Sequence, residues 1–196
     1  KVSGGNISLR GKKITGSKPK EVINRWNIRT IPEDRQKRGL VMEFDVAENL
    51  ILETYHDTPF SRRGMLKREK IYAYADHCAQ AYDIRPTNPY LIAKSLSGGN
   101  QQKVIIAREV SNDPEVLIAS QPTRGLDVGA IEYVHTALVN QRDRGKAVLL
   151  ISFELDEVMN VSDRIAVIFE GKIVGIVDAI GVDENAIGLM MAGGTP

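Results

Sequence analysis

The stretch Leu96-Ser97-Gly98-Gly99-Asn100-Gln101-Gln102-Lys103 places a serine and two glycines directly before a long helical pattern. The first turn of a helix carries backbone N–H groups that have no partner within the helix. The helix dipole adds positive potential at the same point, so such a turn suits a phosphate group. A Ser-Gly-Gly sequence alone is weak evidence, because most such tripeptides are ordinary turns.

A second landmark follows this stretch. The apolar segment Val116-Leu117-Ile118-Ala119 has the composition of a buried strand, and Gln121-Pro122-Thr123-Arg124-Gly125-Leu126-Asp127 comes directly after it. The combination of LSGGxQ, a strand and xPTxGLD resembles the ATP-binding subunits of ABC transporters. The resemblance implies an α/β fold, an ABC-type ATPase core with a mostly parallel sheet covered by helices, together with a helical subdomain. We call residues 96–103 the signature loop.

Composition narrows the class of protein. The chain has 196 residues, a net charge of +1 and one cysteine, Cys78. Near-neutral charge gives no reason to expect a nucleic-acid partner, and one cysteine excludes a disulfide framework. No apolar run approaches the roughly 20 residues that a membrane-spanning helix needs.

Periodicity predicts an alternation of strands and helices, and alternating apolar strands favour a parallel sheet. The predicted strands are 6–14 (with a glycine turn), 28–31, 116–120, 147–152, 165–169 and 173–177. We expect the strand at 147–152 to be buried. The predicted helices are 20–26, 46–52 (capped by Asp45), 67–83, 100–112, 128–142 (capped by Asp127), 154–161 and 183–191.

The resemblance also predicts the organisation of the chain. Residues 1–196 form a partial nucleotide-binding domain: a helical subdomain at 45–95, the signature and a degenerate strand-end region at 96–180, and a C-terminal helix and tail at 181–196. No GxxxxGK[ST] phosphate-binding loop (P-loop) occurs in the sequence. We expect that the chain is truncated before its P-loop strand and helix. The alternative is that the protein never had a P-loop.

Three catalytic positions of the family hold inert residues. Ser120 stands where the family has the Mg²⁺-associated Asp, Gln121 stands at the Glu that activates water, and Phe153 replaces a His. A hydroxyl is a poor Mg²⁺ ligand beside a carboxylate, and glutamine cannot act as a general base. The sequence therefore predicts a degenerate nucleotide site with no intact catalytic residue and no metal ligand. The alternative is that the strand ends are misaligned.

The resemblance implies that the signature loop acts on a second domain. Ser97, Gly98, Gly99 and Asn100 would bind ATP in trans, and Asp127 would lie at the domain interface. The partner would be an upstream nucleotide-binding domain of the same full-length chain. ATP and Mg²⁺ would belong to that assembly. We expect the fragment alone to bind neither and to be catalytically inactive.

The segment from Pro32 to Leu40 reads PEDRQKRGL and follows a short predicted strand. With LSGGNQQK and QPTRGLDVGA, it resembles the C-terminal nucleotide-binding domain of fused bacterial importers for sugars and nucleosides, with nucleosides favoured. That resemblance implies transmembrane permease subunits, an indirect role of a solute-binding protein and a place at the cytoplasmic face of the membrane. Glu33 would sit at the coupling junction. The alternative for Glu33 is a solvated charge cluster with local Glu/Arg pairing, and the alternative function is a non-transport or regulatory pseudo-ATPase.

Overall fold

The computed structural model describes residues 2–194, so Thr195 and Pro196 of the predicted tail lie outside the described residues. The chain divides between Leu149 and Leu150 into two compact units. The predicted division at 45–95, 96–180 and 181–196 stays a prediction. Within residues 2–194, no helix is both long enough and apolar enough to cross a membrane.

The first unit holds most of the predicted elements. Its helices are α1 (Pro19–Asn24), α2 (Val46–Leu50), α3 (Arg68–Ala81), α4 (Gly98–Val110) and α5 (Val128–Asp143). Its strands are β1 (Ser8–Leu9), β2 (Lys12–Lys13), β3 (Ile28–Ile31), β4 (Ser61–Arg62), β5 (Met65–Leu66), β6 (Val116–Ser120) and the start of β7 (Ala147–Ile151).

The central sheet has the strand order β3-β6-β7. Strands β3 and β6 run parallel, with Ile28 opposite Val116 and Ile31 opposite Ala119. Residues Ile31, Leu117 and Ala119 are buried, as apolar strands between helices require. The sheet therefore brings the end of β6, where Ser120 lies, beside the end of β3.

The prediction that the strand at 147–152 is buried is wrong. In β7, exposed residues alternate with half-buried ones, and Leu149 is 53% exposed. Among the described residues, strand β7 stands at one end of the three-stranded order and has β6 as its one neighbouring strand. Apolar composition alone does not show how many neighbours a strand has, which is why the sequence pattern overstated burial.

Two helix starts follow from capping. The Asp45 carboxylate accepts the Glu48 N–H at 2.7 Å, and the Glu48 carboxylate accepts the Asp45 N–H at 3.1 Å, so α2 begins with a complete capping box. The hydroxyl of Tyr72 in α3 donates to the same carboxylate at 2.6 Å, which raises the pKa of Tyr72 to about 12. Because α2 and α3 also pack on each other, this region is one helical layer.

The second unit is a small α/β unit with its own core. It contains α6 (Leu155–Val161), the antiparallel hairpin of β8 (Arg164–Phe169) and β9 (Lys172–Asp178), and α7 (Glu184–Met191). Ile165 and Val167 of β8 are buried with Ile187 and Met190 of α7. The predicted hairpin and final helix are thus confirmed in place and type.

Candidate phosphate-binding turn

The signature loop enters helix α4 two residues earlier than the sequence pattern predicts. Ser97 is the N-cap, and its Oγ accepts the Asn100 N–H at 3.4 Å and the Asn100 side-chain amide at 2.9 Å. The other side of the Asn100 amide is also held, because its Oδ1 accepts the Arg85 N–H at 2.7 Å. Gly98 and Gly99 are therefore the first turn of the helix and not a loop before it.

That first turn leaves two donors open. The Gln101 N–H bonds to the Ser97 carbonyl oxygen at 2.9 Å, and the Asn100 N–H is taken by Ser97 Oγ. Among the residues that the structure describes, the N–H groups of Gly98 and Gly99 have no acceptor. Two adjacent free N–H groups at a helix N-terminus can bind a phosphate oxygen from outside this chain.

Close packing explains both glycines. A Cβ on Gly98 would lie 2.9 Å from Nη2 of Arg35, and a Cβ on Gly99 would lie 3.0 Å from the Cβ of Ala130 in α5. A Cβ at Gly98 would displace the flexible end of Arg35, whereas a Cβ at Gly99 would require the two helix starts to move apart by a few tenths of an ångström. The glycines thus let the first turn of α4 sit directly on two other segments.

Two buried glutamines fix the helix behind this turn. Gln101 donates to the carbonyl oxygens of Ala93 at 3.2 Å and Leu96 at 3.1 Å. Gln102 donates to the carbonyl oxygen of Pro122 at 2.8 Å. Their side chains tie α4 both to the segment before it and to residues 121–127, which we call the strand-end loop.

Asp127 closes the strand-end loop and starts the next helix. Its Oδ1 accepts the Ala130 N–H at 2.9 Å, so it is the N-cap of α5, as the sequence predicts. Asp127, Val128 and Gly129 are all exposed. A second protein can therefore reach this corner, although its place at a domain interface stays a prediction.

The end of β6 carries the two inert positions. Ser120 is half-buried, and Gln121 is 7% exposed with a positive φ of 46°. Its Nε2 is buried without a hydrogen-bond partner among the described residues. Neither side chain is an anionic oxygen ligand, and residues 2–194 contain no group of three His, Cys, Asp or Glu placed to hold a metal. The residues present here do not fit Mg²⁺.

Phe153, the third inert position, lies in the second unit. Its ring is 79% exposed, and it precedes α6 in a turn in which the Glu154 N–H donates to Ser152 Oγ at 3.0 Å. A phenyl ring can neither accept nor donate a proton, so this position offers no polar group to a phosphate.

Glu33 does not pair locally. Its carboxylate forms an ion pair with Arg124, which is 91 residues away in the strand-end loop. The predicted alternative of local Glu/Arg pairing is therefore wrong for this residue. Arg35, two positions further on, donates through Nη1 to the carbonyl oxygen of Arg124 at 2.8 Å.

Arg35 is a site residue that sequence reasoning missed. It begins a π-helical turn, Arg35–Gly39, whose N-cap Asp34 accepts from the Gln36 and Lys37 N–H groups. These hydrogen bonds hold the pKa of Asp34 below its usual value. A cleft of about 580 Å³ opens beside this turn, and Arg35, Glu43, Lys94 and Gly98 are among the residues that line it.

Four charged residues form a largely buried cluster near the other end of α4. Arg108 donates to Glu109 Oε1 at 2.7 Å and to the Gly39 carbonyl oxygen at 2.8 Å, while Arg29 pairs with Glu53. Glu109 is 1% exposed, and its Oε2 has no partner among the described residues. Burial raises the pKa of Glu109 in spite of the adjacent guanidinium.

The profile of the ABC transporter family matches residues 1–124, which are more than half of the chain. The chain belongs to the ABC transporter family. The fold agrees: the chain is similar to the dimeric ATP-binding cassette MJ0796 bound to ADP and Pi, with a TM-score of 0.73 and 23% identity. That match covers 92% of this chain and 75% of the cassette. The predicted α/β ABC-type core, with a parallel sheet and helices, is thereby confirmed.

Several relatives of this ABC chain are importer subunits by name. It is 51% identical over 195 residues to the guanosine import ATP-binding protein NupO of Bacillus subtilis (strain 168) and 51% identical over 194 residues to the nucleoside import ATP-binding protein NupA of Lactococcus lactis subsp. cremoris (strain MG1363). It is 35% identical over 190 residues to the ribose import ATP-binding protein RbsA of Bacillus subtilis (strain 168). These matches cover 97–100% of this chain but 38% of each relative.

Proposed function

We propose that this chain is part of the ATP-binding subunit of an ABC importer for nucleosides. The names of the two relatives at 51% identity support nucleosides over simple sugars. As part of such a subunit it would lie at the cytoplasmic face of the membrane and contact permease subunits. Because the matches span about two fifths of each relative, the activity proposed is that of the full-length protein.

We infer that the chain contributes to ATP turnover through the first turn of α4, which contains Gly98 and Gly99 and which we call the signature turn. The end of strand β6, with Ser120 and Gln121, does not contribute. This inference rests on a difference between two parts of the first unit, the first turn of α4 and the end of β6. Among the described residues, the Gly98 and Gly99 N–H groups have no acceptor, while Ser120 and Gln121 offer neither an anionic metal ligand nor a base. Such a chain can donate hydrogen bonds to a phosphate held by another domain.

The proposed partners of this chain are a second nucleotide-binding domain and the permease. An upstream nucleotide-binding domain of the same full-length chain would hold the ATP and Mg²⁺ that the signature turn completes. The permease would meet the segment around Glu33, as the family resemblance implies, and the ion pair to Arg124 would link that segment to the strand-end loop. Movement at the permease would then pass through the strand-end loop to helix α4 by way of the hydrogen bond from Gln102 to the Pro122 carbonyl oxygen.

The test uses the full-length gene product, reconstituted with its permease in vesicles. We expect nucleoside uptake driven by MgATP, and we expect Gly99→Asp to abolish ATP turnover by placing a carboxylate in the phosphate position. Gly188→Asp, at an exposed helical glycine of α7 with open space around it, is the matched control and should retain turnover. A full-length protein that neither hydrolyses ATP nor moves any nucleoside or sugar would support the alternative, a non-transport or regulatory pseudo-ATPase.

A further inference from the structure

Arg35 contacts two separate loops of the candidate site. Its Nη1 donates to the Arg124 carbonyl oxygen at 2.8 Å, and its Nη2 lies 3.5 Å from the Gly125 carbonyl oxygen. Nη2 is also the atom nearest to the space above Gly98, where a Cβ would approach it to 2.9 Å. One guanidinium thus lies between the strand-end loop and the first turn of α4.

The placement of this charge needs an explanation. A cation beside the N-terminal turn of a helix is electrostatically unfavourable, because that end already carries positive potential. Two main-chain carbonyl oxygens offset this cost on the side of the strand-end loop. A planar guanidinium presents its N–H donors in a fixed fork, so Arg35 can hold the two acceptors in one defined geometry, whereas the donors of an ammonium rotate around a point charge.

We propose that Arg35 is a positioning residue that sets the distance between the strand-end loop and the signature turn, and so holds the Gly98 and Gly99 N–H groups in place. This role rests on the proposed function of the signature turn. It differs from the role of the neighbouring ion pair, because Arg35 uses the carbonyl of Arg124 and not its side chain. Removing the Arg124 side chain therefore leaves the Arg35 contacts available.

The test measures amide hydrogen exchange in the full-length gene product. In Arg35→Ala we expect exchange in peptides covering 96–103 and 121–127 to rise about tenfold, since hydrogen bonds from a charged donor are lost. Peptides from α3 should not change. Arg38→Ala, which removes an exposed arginine from the same π-helical turn, is the matched control and should leave all three regions within about twofold of wild type.

Two further variants separate geometry from charge. Arg124→Ala should leave exchange in 96–103 unchanged, because the carbonyl acceptor remains. Arg35→Lys should fail to restore slow exchange in at least one of the two loops. The proposal is overturned if Arg35→Ala leaves both loops as in wild type, if exchange rises equally in α3, if Arg124→Ala reproduces the effect, or if lysine restores both loops fully.

ATP turnover gives a second readout. For Arg35→Ala we expect kcat to fall at least tenfold while KM for MgATP stays within about twofold of wild type. The displaced turn donates hydrogen bonds to the phosphate, whereas the other domain holds the bound ATP. The positioning role would be overturned if Arg38→Ala lowered kcat and the melting temperature as much as Arg35→Ala does. If the wild-type protein shows no ATP turnover at all, the proposed function fails, whereas the exchange result still decides the role of Arg35.

Discussion

Gly99 lets the first turn of α4 lie close to Ala130 in the first turn of α5. A Cβ added to Gly99 would lie 3.0 Å from the Cβ of Ala130, which is tighter than ordinary van der Waals contact. The first turn of α4 and the first turn of α5 therefore share one narrow contact. The positions of the Gly98 and Gly99 N–H groups therefore depend on that contact.

Gly99→Ala should push the two helix starts apart. We expect a loss of at most about 1 kcal/mol in the free energy of unfolding, because the higher helix propensity of alanine offsets part of the clash, and at least a tenfold loss of ATP turnover in the full-length protein. The double variant Gly99→Ala/Ala130→Gly restores the space and should recover most of both. Gly129→Ala, where an added Cβ would meet Asp127 at an ordinary 3.6 Å, serves as the control. No recovery in the double variant would contradict this account.

Ser97 allows capping and phosphate binding to be separated. Ser97→Ala removes the N-cap of α4 and should lower the free energy of unfolding by about 1 kcal/mol. Ser97→Asp keeps a capping oxygen and should preserve stability, yet its charge faces the position proposed for phosphate. We therefore expect Ser97→Asp, measured by phosphate release, to lose ATP turnover while melting like wild type.

The control for this pair is Asp183→Ala, which removes the N-cap of α7 in the second unit. It should cost a similar amount of stability with ATP turnover retained. Full turnover in Ser97→Asp would show that no phosphate approaches the cap.

Arg108→Met should give a pH-dependent loss of stability. It leaves Glu109 buried without its counter-ion, which typically costs about 3–5 kcal/mol when the carboxyl is charged. Removal of the guanidinium raises the native pKa of Glu109 further, so the native state binds the proton more tightly than the unfolded state. Stability of the variant then falls as pH rises from the unfolded pKa, about 4.3, through the native pKa.

We therefore expect the difference from wild type to be small near pH 4.5 and largest at pH 8, measured by denaturant unfolding of the full-length protein. Arg144→Met, which breaks an exposed pair with Asp113, should cost less than about 1 kcal/mol and show little pH dependence. A difference that is constant from pH 4.5 to 8 would contradict the assignment to Glu109.

Ser120→Asp/Gln121→Glu restores the family residues at the end of β6. In the 196-residue chain we expect no ATP turnover before or after this change, because its sequence contains no P-loop. In the full-length protein, turnover should rise only if a P-loop precedes this domain. Calorimetry with MgATP is the companion measurement, and micromolar binding by the unaltered chain would contradict our expectation.

Much of the fold is predictable from sequence because its signals are local. Asp45 and Asp127 were expected to cap α2 and α5, and both do so through bonds to residues three positions ahead. The sequence pattern starts α4 two residues late, because glycine has low helix propensity and Gly98-Gly99 is typical of a turn before a helix.

The missed parts of the site are long-range. Nothing near Arg35 in the sequence indicates that its acceptors are the carbonyl oxygens of residues 124 and 125. Every residue has a main-chain carbonyl, so the residue type does not show which carbonyl accepts a hydrogen bond. The partner of Glu33 was missed for a related reason, because a charge cluster offers several closer partners than Arg124. Strand exposure in β7 likewise depends on which elements lie beside it.

The hydrogen bond from Arg35 to the Arg124 carbonyl spans 89 positions, which has a consequence for synthesis of the chain. The ribosome completes helix α4 at Val110 before it makes either acceptor of Arg35. At about 5–20 residues per second, the nascent helix waits about 1–3 s for residue 125. During that interval the whole LSGGN sequence exists without the contact that spaces it. A product that ends before Gly125 would therefore contain the LSGGN sequence but lack the pair of carbonyl acceptors to which Arg35 bonds.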